Sequence, residues 1–291
     1  MEQRAGAAAE IPVADILDMV AATMRQEKGR LNGLASFASD SAHGDRMVRA
    51  FTDAAHAVYG SGTGDAGEDL QLAGQVLSDP AAAYGHAALY LGQGFIEAGP
   101  QFYGRQGLTL GDLGPLLAGL QQGAQRDNPA QPGMGTLLDV LGPAAMAADG
   151  AARQHLTPLQ TIQGVLGAAM AGVRNTANMP QPFNRHPKGR PGQPTGNPDP
   201  GAAGAQTMLT GLIKGLLGDR VPATPAGQSS NNFLLNLLQQ GIDLGGAVTS
   251  PKPPSGVESL LGGTAYAGRY GQDLAESDPG YGKGTDIRAR G

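Results

Sequence analysis

The sequence predicts an all-α domain of about eight helices over residues 11–218. Apolar residues return every three or four positions through most of that stretch. β-branched runs are missing, and no two alternating segments flank a hairpin turn. Aromatic residues, which favour strands, make up only 4% of the chain.

The first helix is expected over 11–34, where Val13, Ile16, Leu17, Val20, Met24, Leu31 and Leu34 share a face. A polar loop separates it from a second helix over 46–59, built on Met47, Phe51, Ala54 and Val58. Helices over 66–78 and 81–98 follow the turn-rich GSGTGDAGED. The next, over 109–122, repeats leucine at 110, 113, 117 and 120. A helix over 134–148 contains Pro143, which is expected to kink it. Thr157-Pro158-Leu159-Gln160 combines a capping hydroxyl, a first-turn proline and a capping-box glutamine. Ile162, Val165, Leu166, Ala169 and Val173 continue that helix on one face. Residues 178–201 form a proline-rich loop, and Asp199-Pro200 opens a last long helix through Met208, Leu212 and Leu217. Beyond Val221 only 232–240 and 257–261 read as ordered. Period alone leaves the packing order of these helices open.

Composition narrows the function classes. The chain has 291 residues with Gly 47 and Pro 21, close to a quarter of the total and without a collagen period. Charged residues are 15%, well below the usual ~25%. The formal charge is -5 and no Lys/Arg block exists, which argues against nucleic acid as a partner. Cysteine is absent, so disulfides, thiol catalysis and cysteine-bound metals are excluded, and a reducing cytoplasm is compatible. The apolar stretches fall short of the ~20 residues a bilayer requires, and no secretory leader is evident.

The loops carry a resemblance. Residues 31–51, LNGLASFASDSAHGDRMVRAF, resemble the start of the L domain of dihydroxyacetone kinases, where Leu-Asp is followed by Gly-Asp-Gly-Asp-(His or Thr)-Gly and an Asn-Met helix. Leu31-Asn32, Leu34, Asp40, His43-Gly44 and Met47 are kept. Gly99-Pro100 with Phe102-Tyr103-Gly104 looks like the family's Ser-Gly-x-Leu-Tyr-Gly with one residue inserted. Gly133 to Leu141 looks like Gly-Asp-Lys-Thr-Met-Leu-Asp-Ala-Leu, and Asp199-Pro200-Gly201-Ala202 matches Asp-Pro-Gly-Ala. The resemblance spans about 12–218 and implies an antiparallel eight-helix barrel. It also implies ADP or ATP with paired Mg²⁺ at one end, and phosphoryl transfer involving a small hydroxyketone.

The departures are specific. The three metal-binding aspartates of the family fall on Ala35, Asp40 and Ala42, and the Asp-Lys of Gly-Asp-Lys-Thr falls on Met134-Gly135. Mg²⁺ prefers six oxygens, so Asp40 alone cannot hold a pair of ions in the usual way. The resemblance assigns phosphate or nucleotide contacts to His43, Gly44, Gly99, Tyr103, Thr136, Arg185 and Arg190. Asp139 and Asp199 read as structural or capping acids. Asp40 and His43 also suit ordinary loop roles, and Tyr103 suits core filling. Asp65, Glu68 and Asp69 suit a solvated helix cap or a rebuilt metal site. Arg185, His186, Lys188 and Arg190 suit an anion clamp or a solvated loop. His56, His86 and His155 read as satisfied polar residues.

The expectation is a flexible stretch over 1–10, an L-type helical domain over 11–221, and a loosely ordered extension over 222–291 with one or two short helices and a tail. The expected function is binding of a nucleotide or phosphorylated small molecule with little or no turnover, two of three magnesium positions having been lost. The alternatives are a divergent magnesium-dependent phosphotransferase and a non-catalytic interaction or structural protein. ADP or ATP with Mg²⁺, or no cofactor, both fit the residues. A protein partner or a homo-oligomer is allowed, and no membrane partner is expected.

Overall fold

A computed structural model describes residues 10–36, 41–183, 193–218, 221, 224–225 and 227–240. Within them run α1 Val13–Ser36, α2 His43–Ser61, α3 Ala66–Ser78, α4 His86–Ala98, α5 Leu113–Gln125, α6 Leu138–Arg153, α7 Pro158–Thr176, α8 Pro200–Leu217 and α9 Ser230–Gln240. Strands are absent from the described residues apart from one isolated bridge between Ile11 and Leu108. The all-α expectation holds. The helix expected over 257–261 lies outside the described residues.

Local chemistry sets the helix ends. Asp65 accepts hydrogen bonds from Gly67 N and Glu68 N and starts α3. The helix expected over 81–98 begins only at His86, because Ala83 and Gly85 take positive φ (54° and 95°) and turn the chain first. The stretch expected as 109–122 divides into a 3₁₀ turn, Leu110–Asp112, and α5. Pro115 therefore falls in the first turn of α5, where its missing N–H is no loss. α6 starts at Leu138 and runs on through Pro143. Pro143 removes the donor for the Asp139 carbonyl, and that oxygen abuts α7, 2.2 Å from where a Cβ on Gly172 would sit. Thr157 and Gln160 form the capping box that opens α7, as the sequence predicts.

Each helix from α1 to α7 packs on the next, and α8 packs back on α1, closing the ring. Ring closure buries α8 along nearly its whole length: from Ala202 to Leu217 every residue is buried. It also touches α2, α4 and α6. Its approach to α1 is backbone to backbone, since a Cβ on Gly211 would lie 2.6 Å from Val20 Cα and one on Gly215 2.8 Å from Ile16 Cα. Leu17, Val20, Phe51, Phe95, Leu117, Val165 and Leu209 are fully buried in the core. Each such side chain contributes about 1.5–3 kcal/mol by leaving water.

α9 falls in the stretch expected as an extension, and it packs on α1, α7 and α8 through Leu234 and Leu238. A polar seam holds it. Ser230 N donates to Glu27 Oε1 at 2.7 Å and Ser230 Oγ to Gln26 Oε1 at 2.6 Å. Glu27 also pairs with Arg30 at 2.6 Å. Buried Lys214 donates to Thr224 at 3.0 Å, and burial pulls its pKa below the usual lysine value.

Candidate functional site

The alternation of helices gathers the starts of α2, α4, α6 and α8 at one end. Contacts tie these starts together: His43 Nε2 lies 3.1 Å from the Cβ position of Gly204, Ala87 Cβ 3.8 Å from that of Gly201, and Arg46 Nε 3.4 Å from that of Gly85. The starts of α6 and α8 are coupled through the charges of Asp139 and Asp199. Helix N-termini present unpaired N–H groups and favour anions, so this end is the candidate site.

At the α1–α2 corner the donors are already engaged. Asn32 Oδ1 accepts from Gly44 N at 2.7 Å, and Asn32 Nδ2 donates to Asp45 Oδ2 at 2.7 Å. Lys28 pairs with Asp45 at 3.1 Å, and these partners hold the Asp45 carboxyl below its usual pKa. Gly44 is required for this contact, because a Cβ there would sit 2.4 Å from the Lys28 carbonyl oxygen. Its predicted phosphate role thus competes with a packing role. Ala35 is buried in the last turn of α1, and Ala42 precedes α2. Asp40 lies outside the described residues. His43 is buried with its ring against α8.

The start of α4 is differently built. Tyr84 donates to Asp53 Oδ2 at 2.5 Å, while Arg49 stacks over the Tyr84 ring at 5.1 Å and donates to the Ala82 carbonyl at 2.6 Å. Burial, with the Asp53 hydrogen bond next, pushes the Tyr84 hydroxyl up to about 12. These contacts fix the turn before α4, whose first residue is preceded by Gly85 with no capping side chain. Exposed His86 stands at this start, with Arg46 of α2 beside the turn.

Around α6, α7 and α8 the loops are bonded to one another. Asp139 is 2% exposed and accepts from Gly133 N at 2.5 Å and Thr136 N at 2.8 Å. Burial still pushes its carboxyl above the usual range. Thr136 Oγ1 accepts from Leu138 N at 3.3 Å and so helps cap α6. Asp199 Oδ1 caps α8 by accepting from Ala202 N at 2.7 Å, and Asp199 N donates to Thr176 Oγ1 at 2.9 Å. Gln181 Nε2 donates to the Thr176 and Asn197 carbonyls at 2.7 and 3.1 Å. Burial and the neighbouring Asp139 charge push the Asp199 carboxyl up to about 7. Asp199 therefore caps α8, while Asp139 ties the loop over 133–136 to the first turn of α6.

Two groups of residues singled out in the sequence lie away from this end. Gly99 and Tyr103 follow the C-terminus of α4, one helix of 13 residues or about 20 Å from its start. A Cβ on Gly67 would meet Gly99 and Tyr103, and the 51%-exposed Tyr103 donates to Gln71 at 2.6 Å. They lie at the opposite end from the start of α4. His86 to Leu91 aligns with the same motif without an insertion, keeping Leu89-Tyr90 but with His86-Ala87 for Ser-Gly and Leu91 for the last Gly, and it begins α4 at the candidate end.

The acids at 65–69 are likewise remote. α2 has 19 residues, so about 28 Å separates its start from its end, next to Asp65. Asp65 caps α3 and accepts from Gly104 N at 2.5 Å, while Asp69 accepts from Thr63 Oγ1 at 2.5 Å. Asp65 and Asp69 thus lie a full helix from the described residues that start α2. Among the described residues no three His, Asp or Glu side chains are grouped to hold a metal. Arg185, His186, Lys188 and Arg190 lie outside the described residues. No helix among the described residues is long and apolar enough to cross a membrane.

Comparison with known proteins bears on this end. The family pattern of the DAK2 domain matches residues 37–214. Among solved structures, the chain is similar to the dihydroxyacetone kinase from C. freundii in complex with AMP-PNP and Mg²⁺, at 21% identity and a TM-score of 0.50, over 74% of this chain and 36% of that one. The native form of the C. freundii kinase gives 20% identity and a TM-score of 0.47, over 74% and 37%. The chain thus spans little more than a third of the length of the kinase it matches. No curated protein sequence matches it.

Proposed function

Because the chain belongs to the DAK2-domain family, we propose that it is an L-domain-like protein that binds a nucleotide or phosphorylated small molecule with little or no phosphoryl turnover. The observation that carries this reading is the meeting of four helix starts at an end where two of the three metal positions are alanine. The uncapped start of α4, with Arg46 and His86 beside it, supplies N–H donors and positive charge for a phosphate. The Thr136 and Asp199 loops form the neighbouring wall.

The residues present do not fit a magnesium pair. Ala35 and Ala42 offer no side-chain oxygen, and Asp40 provides one carboxylate where paired octahedral ions require several. Phosphoryl transfer depends on charge positioned around the moving group. Without that charge, binding outlasts catalysis.

Calorimetric titration with ADP, with and without Mg²⁺, tests the reading. Expected is a Kd tighter than ~1 mM, corresponding to about -4 kcal/mol, unchanged by Mg²⁺ and by Asp40→Ala. Tightening by Mg²⁺ that Asp40→Ala abolishes would instead support the phosphotransferase. Absence of binding would leave the interaction protein.

A further inference from the structure

We propose that α9 is a releasable strap: it undocks and unfolds as one unit while the ring of α1–α8 stays closed, uncovering a polar groove along α8 and α1. This holds whichever ligand the candidate end takes.

One side of α8 is polar by sequence. Gln206, Thr210 and Lys214 recur every four residues and so share a face, yet all three are buried. Arg30 of α1 donates to Gln206 Oε1 at 3.4 Å and to the adjacent Thr207 hydroxyl at 3.0 Å. At the far end of the stripe Lys214 donates to Thr224, in the stretch that leads to α9. Gln26 and buried Glu27 of α1 continue this polar floor and bond Ser230, the first residue of α9. One carboxylate, Glu27, thus serves both Arg30 and the free N–H at the start of α9.

A polar group that exchanges a protein partner for water loses little net free energy. Release of the strap makes that exchange at Thr224 and Ser230, and it returns the charges of Glu27 and Lys214 to water. The apolar contact to be broken is small. Of the described apolar side chains of α9, Leu234 and Leu238 are buried, while Phe233, Leu235 and Leu237 are only partly so. A helix of 11 residues is marginal away from its support, so undocking and unfolding of α9 are one event. The ring closes without it: α8 meets α1 backbone to backbone at Gly211 and Gly215, and the family pattern ends at residue 214.

Cysteine is absent from the chain, so a single introduced thiol reports on its own site. Leu238→Cys places one under the strap and Val165→Cys places one in the ring core, both at buried positions. Labelling with an aromatic disulfide reagent is followed from zero urea to the foot of the unfolding transition. Without urea, Leu238→Cys is expected to react at least about tenfold faster than Val165→Cys, as a local opening allows. Its rate should rise only weakly with urea, because little surface is exposed, whereas that of Val165→Cys should rise steeply. A common rate and urea slope for the two thiols would overturn the strap, since α9 would then leave only with the ring. Reaction of Leu238→Cys at the rate of the unfolded chain would overturn it too, because α9 would never dock. Hydrogen exchange of the wild type needs no variant: a shallow urea slope is expected for α9 amides and a steep one for α7 and α8, and equal slopes would refute the proposal.

Discussion

Replacing Asp199 by Asn should stabilise the protein at pH 8 and have little effect near pH 4. Asn caps a helix about as well as Asp, so the hydrogen bond to Ala202 N is retained and only the charge is lost. The folded carboxyl, pushed up to about 7, binds its proton more tightly than the unfolded group at 3.8. Between those values the folded state holds more protons than the unfolded one, so wild-type stability declines as pH rises through that window and levels off above it. A shift of that size corresponds to roughly 4 kcal/mol at about 1.4 kcal/mol per unit. Asp199 is only partly buried at its surface, and solvent screening reduces the figure to about 2 kcal/mol. For a domain of this size that is roughly 4–8 °C in Tm. Thermal unfolding by circular dichroism at constant ionic strength, every half pH unit from 4 to 8.5, is the assay. A variant-minus-wild-type difference that stays flat with pH, or that favours the wild type at pH 8, would refute the argument.

Other substitutions test the frame that holds the site. Gly211→Ala forces a methyl against the Val20 backbone at 2.6 Å and should cost about 2 kcal/mol in urea unfolding, separating α8 from α1. Glu27→Ala leaves Ser230 N and Arg30 without their carboxylate partner. It should cost about 2–3 kcal/mol, with faster hydrogen exchange concentrated in α9. Thr157→Ala removes half of the capping box on α7 and should cost about 1 kcal/mol, read as a lowered Tm with the candidate end unchanged.

Much of the fold was legible because helix formation is local. The apolar stripe of α1 and the box at Thr157 each determine an element from residues a few positions apart. Errors came where two local signals competed. Ala83 has no composition that announces a positive φ, and so α4 was expected five residues early. The site was legible where a motif lay on a single turn, as with Asp199-Pro200, whose cap formed as read. It was not legible around α4, where a short pattern aligns to Gly99 and Tyr103 at one end of the helix or to Leu89-Tyr90 at the other. No short pattern says at which end of the ring a helix terminus will lie.

Sequence alone determined the helical class with most of its helices, the absence of thiol chemistry, and alanine at 35 and 42, since each depends only on residue identity and neighbours along the chain. Tertiary structure decided that α8 is buried along nearly its whole length. It decided that Asp65 and Asp69 lie a full helix away from the start of α2, and that the Asp139 charge reaches Asp199. Those outcomes follow from the closing of a ring of helices, which brings together residues that are remote in the chain and sets their distances through backbone contacts such as Gly211 on Val20. Electrostatic coupling falls off with separation in space, so it comes into being only when that ring has closed.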